Sequence, residues 1–382
     1  MNPWGIYVHI PWCRSRCPYC AFNTFVDPDP PFERYTEALL RQFEAHKNDF
    51  NGPPSTVFFG GGTPSLHPPK HTKALLKAFA PKANAEITLE ANPGTVNPAL
   101  LAELLEAGVN RLSLGIQTFQ PQHARFLNRG HSVADARNLL KDVAHAGFNS
   151  WSADLMFALP HQTMAEFESD IDSLLECEPP HVSLYGLTAE DGTPYTKALN
   201  AGRFPSQDEE LWEKMYDCAE NRLRAAGLNR YEVSNWARPG HESQHNKLYW
   251  QGNHWIGLGA GAHGWHPQGL RTIGHNSPKD FMAQEDQWAS QERPSKREQA
   301  VEYMLGSLRH IDGVNLHHLN SLGWKISDKK IASHVEHGLI KIEENSIRAH
   351  ARGWKLINSL LLELESSLEP TQSHYAPLGS DA

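Results

Sequence analysis

The sequence of 382 residues contains few cysteines, no basic tract and no long apolar run. No stretch approaches the roughly 20 apolar residues of a transmembrane helix. The net charge is −9 and Lys and Arg are not clustered, which argues against nonspecific binding to nucleic acid. The amino terminus lacks the charged-then-apolar layout of a secretory signal. These absences predict a cytoplasmic globular protein without a membrane span or a nucleic-acid partner, in which thiols stay reduced.

Three of the five cysteines, Cys13, Cys17 and Cys20, lie in one C-x3-C-x2-C segment. Three thiolates from one short loop can hold a [4Fe–4S] cube by three corners. Because such clusters normally have four cysteine ligands, one iron would stay open to another ligand. The alternative is a structural zinc site of three cysteines and a histidine, such as His9. The other two cysteines lie apart in helix-like surroundings and are interpreted as free or buried thiols.

Strand patterns alternate with helix patterns through the first half of the chain. The predicted strands are Gly5–Ile10, Thr56–Gly60, Glu86–Ala91, Arg111–Thr118, Ser150–Ala158 and His181–Thr188. The predicted helices are Phe32–His46, Lys70–Phe79, Pro98–Ala107, Val133–Ala146 and Met164–Cys177. This alternation predicts an α/β fold with a parallel sheet, and it fits a partial (βα)6 barrel better than a closed eight-stranded one. A flavodoxin-like doubly wound sheet is the main alternative.

The composition changes twice along the rest of the chain. We expect a core in residues 1–237, a connecting region in residues 238–294, a small winged-helix-like domain in residues 295–366 and a flexible tail in residues 367–382. A helix at Leu211–Gly227 and a strand at Tyr231–Trp236 complete the core. The small domain is predicted to contain helices at Glu298–Arg309, Leu316–Leu322, Ser327–Glu336 and Trp354–Leu364 and a β-ribbon at Leu339–Ile347. Because it has no basic stripe, a lid or packing role is favoured over DNA binding.

Polar residues cluster where the predicted parallel strands end, at the edge where such folds bind ligands. The cysteines follow the first strand, and the glycine-rich segment Gly60–Pro64 follows the second. Glu90, Gln117 and Asp154 lie at or near the ends of the next three. A carboxylate such as Glu90 can pair with an ammonium group, and a cation such as Arg129 can pair with a carboxylate. Each of these residues alone could equally be a cap or part of an ion pair.

These motifs together resemble the radical S-adenosylmethionine (SAM) superfamily. The segments Tyr7-Val-His-Ile-Pro-Trp-Cys, Glu90-x-Asn-Pro, Gly115-Ile-Gln and Asp154-Leu-x-x-x-Leu-Pro resemble, more narrowly, the oxygen-independent coproporphyrinogen III dehydrogenase family. The resemblance covers nearly the whole chain and implies a [4Fe–4S] cluster, bound SAM and an electron donor such as flavodoxin. By position, it implies a SAM site lined by Tyr7, Phe22, Gly61, Gly62, Thr63, Glu90, Gln117, Arg129 and Asp154.

Two departures separate the chain from the dehydrogenases. Those enzymes carry a further cysteine two residues after the third, where this chain has Phe22. They also have a long extension before the first cysteine, where this chain has 12 residues. In both respects the chain resembles a related group, the HemW heme chaperones, which bind heme and pass it to respiratory enzymes. These departures argue against dehydrogenase activity in porphyrin biosynthesis, which stays the leading alternative function. A zinc-stabilised interaction module is the third hypothesis.

The segment His245–Trp250 resembles the H-N-x-x-Y-W signature of that chaperone group. A neutral imidazole can bind heme iron, and aromatic rings can border a porphyrin. The resemblance implies heme contacts at His245, Tyr249 and Trp250, and heme-dependent respiratory proteins as recipients. The alternative is that His245 hydrogen-bonds a loop beneath two core aromatic residues.

Overall fold

The computed structural model describes residues 3–284 and 288–371. Their contacts divide them into two units. The large unit contains the residues up to Leu248 together with Asn253–Glu292, and the small unit contains Tyr249–Gly252 and the residues from Arg293 on. None of the described helices has both the length and the hydrophobicity that a membrane span requires.

The first half of the large unit alternates strands with helices. It begins with β1 (Trp4–Ile10) and the short strands β2 (Trp12–Cys13) and β3 (Phe25–Val26), which flank the cysteine loop. Five longer strands follow: β4 (Thr56–Gly61), β5 (Glu86–Ala91), β6 (Arg111–Gln117), β7 (Ser150–Phe157) and β8 (His181–Gly186). The helices are α1 (Phe32–His46), α2 (Pro69–Phe79), α3 (Pro98–Ala107), α4 (Pro121–Phe126), α5 (Val133–Ala146) and α6 (Met164–Leu175). The strands and helices predicted for this half are confirmed, each end lying within two residues of its prediction.

The strands β1, β4, β5, β6, β7 and β8 lie side by side in chain order, and each is parallel to its neighbours. A doubly wound sheet reverses its strand order part-way along. No reversal occurs among these six, so the flavodoxin-like alternative is wrong and the α/β partial barrel is confirmed. Because all six carboxyl ends meet at one edge, residues distant in sequence converge there.

Local sequence signals explain where the connecting helices begin and end. Ser132 and Thr163 each form a capping box with the acidic residue three positions later, which satisfies free backbone N–H groups at the first turn. Gly108 and Gly147 end α3 and α5 with φ values of +106° and +96°. This left-handed conformation favours glycine, and it turns the chain into the following strand.

Beyond β8 the chain adds α7 (Pro194–Asn200), α8 (Glu209–Ala225) and the strands β9 (Asn229–Glu232) and β10 (Asn235–Ala237). These two strands are antiparallel, and β10 pairs with β8. The single strand predicted at Tyr231–Trp236 is therefore wrong, because the chain reverses at residues 233–234 and continues as a second strand.

The segment 238–294, treated above as a connecting region, widens the other edge of the same sheet. It contains α9 (Gln244–Trp250), β11 (His254–Leu258), β12 (His263–His266), β13 (Leu270–Gly274), α10 (Pro278–Ala283) and β14 (Trp288–Glu292). The strand β11 pairs with β1 in parallel, and β12, β13 and β14 continue outward as antiparallel strands. The amino-terminal strand therefore has neighbours on both sides.

The small unit combines short helices with two small sheets, one of three strands and one of two. It contains α11 (Lys296–Ser307), β15 (Val314–Asn315), α12 (Leu316–Ser321), β16 (Trp324–Ile326), α13 (Asp328–Glu336), β17 (Ile340–Glu343), β18 (Ser346–Ala349), α14 (Arg352–Lys355), α15 (Ile357–Glu365) and β19 (Leu368–Pro370). A β17–β18 hairpin follows three helices, and β18 also pairs with β15. The assignment of this unit as a winged-helix-like domain stays a prediction. Because β19 pairs with β16, residues 368–370 are not part of a flexible tail as predicted. Residues 372–382 of that predicted tail lie outside the described residues.

Candidate cofactor site at the carboxyl ends of the strands

The cysteine loop starts at the carboxyl end of the barrel, where Cys13 closes β2. Cys13, Cys17 and Cys20 are partly exposed free thiols. Burial is the main cause that raises the pKa of Cys13 and of Cys20, and the neighbouring cysteines raise it further. Two donors face the sulfurs: the Thr63 hydroxyl lies 3.5 Å from Cys13 Sγ, and the Arg129 guanidinium lies 3.7 Å from Cys17 Sγ.

This set of donors fits a [4Fe–4S] cluster. Thiols with a raised pKa need a metal cation to release their protons, and hydrogen bonds to the sulfurs are typical of iron–sulfur sites. Among residues 3–284 and 288–371, no three His, Cys, Asp or Glu side chains are placed to bind a single metal ion. A cubane cluster makes a different demand, because each cysteine binds a different iron.

A cavity of about 250 Å³ opens beside the cysteine loop and continues along the inside of the parallel strands. Five of the predicted SAM residues line it, namely Tyr7, Phe22, Gly61, Glu90 and Asp154. Phe22 is 70% exposed at the opening. The other four predicted residues, Gly62, Thr63, Gln117 and Arg129, are not among its lining residues.

Glu90 on β5 and Asp154 on β7 both face this cavity. Burial, together with the charge of Asp154, raises the pKa of Glu90 to about 8, although its Oε2 accepts a hydrogen bond from Gly61 N at 3.1 Å. Burial raises the pKa of Asp154 to about 6, against the opposite effect of the hydroxyls of Ser183 and Ser113. Two interacting acids in one buried cavity favour a cationic ligand, and SAM carries both an ammonium and a sulfonium group.

The glycines at the end of β4 are required by β1 and by the start of the cysteine segment, which pack against them. Gly61 has a φ of +113°, and a Cβ there would lie 2.5 Å from the His9 ring. A Cβ on Gly62 would lie 2.7 Å from the carbonyl oxygen of Trp12. Any larger residue would therefore push the start of the cysteine loop away from β4.

Arg129 is held beside the cysteine loop by the end of β6. Its Nη2 donates to the carbonyl of Gly115 at 2.7 Å and also to Asn92 Oδ1. Its Nε is buried without a hydrogen-bond partner in the described part of the chain, as expected where a ligand supplies the acceptor. Gln117, the last residue of β6, adopts a φ of +69°. The cation is thus fixed in place with one donor unused.

His245 lies at the opposite end of the barrel, where α9 meets the amino ends of the strands. Glu86, the first residue of β5, accepts hydrogen bonds from the backbone N–H groups of Gln244 and His245 at 3.1 and 3.0 Å. The His245 side chain is 1% exposed, and its Nδ1 lies 2.7 Å from Thr56 Oγ1. Its ring stacks on Phe58 with 5.2 Å between centroids. Burial lowers the pKa of His245 to about 3, so the imidazole is neutral.

This placement matches the alternative interpretation of the motif, in which His245 is a buried residue that hydrogen-bonds its surroundings. Tyr249 and Trp250 follow it on α9 and group with the small unit. Heme contacts at His245, Tyr249 and Trp250 stay a prediction, and they require His245 to leave Thr56.

Comparison with known proteins agrees with the geometry around the cysteines. Residues 7–174 match the family model described as the radical SAM superfamily. Heme chaperone HemW of Escherichia coli (strain K12) is 38% identical over 294 residues, which span 74% of this chain and 76% of that protein. The chain belongs to the HemW family of radical SAM proteins.

One further relative and one solved structure are also similar to this HemW-family chain. The bovine (Bos taurus) mitochondrial radical S-adenosyl methionine domain-containing protein 1 is 34% identical over 404 residues, spanning 98% of this chain and 90% of the relative. The structure of coproporphyrinogen III oxidase (HemN) from Escherichia coli, a radical SAM enzyme, superimposes with a TM-score of 0.80 over 95% of this chain and 90% of that one. Because the two share 21% identity, this likeness shows the fold alone.

The cavity of this HemW-family chain also has polar walls that the motifs did not reveal. They are formed by Thr88, Arg111, Ser113, Ser152, His181, Ser183, Tyr185, Ser243 and Asn246. A signal for several of them exists in the sequence, because residues two apart on a strand face the same side. Thr88 precedes Glu90 by two positions, and Ser152 precedes Asp154 by two. Asn246 carries no such signal, since it reaches the cavity from a helix distant in sequence.

Proposed function

We propose that this chain is a cytoplasmic heme chaperone that carries a [4Fe–4S] cluster on Cys13, Cys17 and Cys20 and binds SAM beside it. In this proposal the chain passes heme to heme-dependent respiratory proteins, and a donor such as flavodoxin reduces the cluster. One observation carries the proposal: the three-cysteine loop borders an acidic cavity in a chain that is 38% identical to a heme chaperone.

Different residues around the cysteine loop bind different groups of SAM. Ionised Glu90 pairs with the ammonium group, Arg129 pairs with the carboxylate through its unused Nε, and Asp154 accepts from the ribose hydroxyls. The remaining contacts come from Tyr7, Phe22, Gly61, Gly62, Thr63 and Gln117. Glu90 must lose its proton for this arrangement, which the approaching positive charge favours.

Thr63 and Arg129 also act on the cluster ligands. Their hydrogen bonds to Cys13 and Cys17 stabilise the thiolate form and orient the sulfurs toward the iron. When bound, the cluster supplies the electron for reductive chemistry on SAM. The chain's own contribution is to hold the thiolates and to place the carboxylate and ammonium groups of SAM.

Phe22 supports chaperone function over dehydrogenase activity. It stands where the dehydrogenases have their additional cysteine, and it is largely exposed at the cavity opening. An aromatic ring there offers an apolar surface and no thiol, which suits a porphyrin better than redox chemistry.

The deciding experiment compares heme binding with porphyrin turnover on one anaerobically reconstituted preparation. We expect a Soret band on titration with heme, and no protoporphyrinogen IX from coproporphyrinogen III with SAM and reductant. Formation of vinyl groups from coproporphyrinogen would overturn the chaperone assignment in favour of the dehydrogenase. Absence of any heme binding would overturn it as well.

A further inference from the structure

The cavity continues past the proposed SAM contacts toward the amino ends of the strands. We call its walls there the lower half of the cavity, formed by Thr88, Arg111, Ser152, His181 and Asn246. Thr88 pairs with Arg111 across β5 and β6, and Ser152 pairs with His181 across β7 and β8. Arg111 on β6 pairs with Ser150 on β7, four residues before Asp154. At 3.3 Å per residue, Arg111 therefore lies about 13 Å from Asp154 along the strand direction. The SAM contacts proposed above use none of these side chains.

Arg111 is a buried cation whose charge is only partly compensated. The residue is 3% exposed, and its Nη1 donates to two neutral acceptors, Ser150 Oγ and the carbonyl of His241, each at 2.9 Å. The carboxylate of Glu86 lies beside it, with Oε2 4.0 Å from Nε, beyond hydrogen-bond distance. The charge of Arg111 also acts to lower the pKa of Asp154, but no hydrogen bond joins these two side chains in the described part of the chain. Glu86 instead accepts hydrogen bonds from the first backbone N–H groups of α9. A buried charge without a hydrogen-bonded counter-charge is costly, so a further anion beside Arg111 would stabilise the protein.

Two more polar groups in the same walls lack a partner. Thr88 Oγ1 and His181 Nδ1 are buried and have no hydrogen bond to any described residue, and each side chain is 1% exposed. His181 uses its other nitrogen on the hydroxyl of Tyr231, at 2.8 Å. Buried polar groups are nearly always paired, so unpaired groups gathered around one space indicate a polar ligand.

We infer that the lower half of the cavity binds a carboxylate, which pairs with the Arg111 guanidinium and accepts a hydrogen bond from Thr88. The guanidinium presents a fork of donors that matches a carboxylate, and the hydroxyl adds a third donor. At this end of the cavity the charge of Arg111 disfavours a cationic ligand, in contrast to the end that Glu90 and Asp154 line. A whole tetrapyrrole is too large, because pockets for drug-sized ligands occupy about 300–1,000 Å³ and this cavity holds about 250 Å³.

Two sources could supply that carboxylate. One is a free small carboxylic acid that enters the barrel. The other is a propionate side chain of heme, with the macrocycle outside the opening, where Phe22 and Tyr185 are 70% and 43% exposed. This second source rests on the proposed heme chaperone function, whereas the first does not.

The test titrates sodium propionate into the full chain and measures heat of binding and the unfolding temperature. We expect saturable binding that raises the unfolding temperature. Arg111→Gln should weaken propionate about tenfold to a hundredfold, because it removes a charge-assisted hydrogen bond. Thr88→Val keeps the side-chain shape and should weaken propionate about fivefold. Arg137→Gln, at an exposed arginine on α5, removes the same charge elsewhere and should bind propionate as the wild type does.

A parallel titration with hemin and with hemin dimethyl ester, which has no free carboxylate, distinguishes the two sources. If propionate binds by itself, a free small carboxylic acid is sufficient to occupy the site. If only hemin responds to Arg111→Gln and Thr88→Val, while the ester binds all variants equally, the ligand is a heme propionate. The inference is wrong if neither propionate nor hemin distinguishes Thr88→Val from the wild type, a comparison that stays valid even if Arg111→Gln fails to fold. Because the propionate arm needs neither heme nor cluster, failure of heme binding alone would contradict the chaperone proposal and leave this inference standing.

Discussion

The hydroxyl of Tyr7 lies 3.0 Å from Nδ1 of His9, two residues further along β1. His9 Nε2 lies 2.9 Å from the backbone carbonyl oxygen of Asn23. Because a carbonyl only accepts, Nε2 carries the proton of this neutral ring, whose pKa burial lowers, and Nδ1 accepts from Tyr7. The side-chain amide of Asn23 in turn donates to the carbonyl of Ala260 at 3.0 Å. A chain of hydrogen bonds thus links the cavity wall to the end of the cysteine loop and to the segment after β11.

Tyr7→Phe should lower the free energy of unfolding by about 1–3 kcal/mol, because it leaves the buried His9 Nδ1 without a donor. Urea denaturation measures the change. Tyr195→Phe is the control: that side chain is 8% exposed, and its hydroxyl makes no hydrogen bond to any of the described residues. Equal stability of the two variants would contradict the proton assignment at His9.

Replacement of Cys13, Cys17 or Cys20 by alanine should remove most of the iron and sulfide from anaerobically reconstituted protein. Wild type should hold about four of each per chain, the content of a cubane. Cys177→Ala and Cys218→Ala are the controls and should keep the full content of iron and sulfide. Cys177 follows the end of α6, and Cys218 lies on α8. Zinc in place of iron, with no brown absorption, would show that the cluster assignment is wrong.

The affinity for SAM should rise with pH. Below pH 8 the free protein holds a proton on Glu90, whose pKa is raised to about 8 by burial and by Asp154, and binding a cation must displace it. We expect the affinity to fall about tenfold per pH unit below pH 8, until Asp154 adds to the loss near its own pKa of about 6. Glu90→Gln should weaken SAM about tenfold to a hundredfold and flatten this dependence. Calorimetry across pH 6 to 9 measures both, and an unchanged slope in the variant would place the coupled proton elsewhere.

The raised pKa of Glu90 also makes the free energy of unfolding of the ligand-free protein depend on pH. The direction of this dependence follows from the number of protons that the folded and unfolded chains bind. Between the usual glutamate pKa of 4.5 and the folded value of about 8, the folded chain binds more protons at Glu90 than the unfolded chain does. Stability of the ligand-free protein should therefore fall as pH rises through this window, and Glu90→Gln should reduce the fall.

Gly61→Ala and Gly62→Ala should both weaken retention of the cluster, because the added Cβ displaces the His9 ring in the first variant and the backbone just before Cys13 in the second. Gly61→Ala adds the strain of a φ of +113° and should be the more destabilising of the two. Gly130→Ala is the control, since a Cβ there meets nothing within 4 Å. Iron release to a chelator, timed for the three variants, measures the effect; similar rates in all three would contradict this role of the glycines.

His245→Ala should lower the free energy of unfolding by about 2 kcal/mol or more, because it removes the partner of Thr56 and the ring that stacks on Phe58. His245→Asn retains a polar atom and should lose less. The Soret band decides the other role of this residue: an unchanged band in both variants makes His245 structural, whereas a shift requires that α9 moves to let the imidazole reach iron.

The alternation of strands and helices, the capping residues and the cysteine loop could all be predicted from the chain, because periodicity, capping and close spacing are local properties. The positions of Cys13, Glu90 and Asp154 at one edge followed as well, since parallel strands carry their carboxyl ends to the same side. The reversal at residues 233–234 and the strand at Leu368–Pro370 were missed, because short strands are identified by partners distant in sequence.

What only the tertiary structure decided is which face and which end of the barrel each side chain occupies. The cysteine spacing by itself predicted a three-thiolate site, since all the proposed ligands come from one loop. The H-N-x-x-Y-W motif gave no such information: its histidine is buried against Thr56, at the end of the strands opposite the cysteines. Arg111, Thr88 and His181 looked like ordinary strand residues, and they line one cavity only because the parallel pairing of β5, β6, β7 and β8 aligns them. Charge compensation and burial depend on such long-range neighbours, so they appear only when the chain is folded.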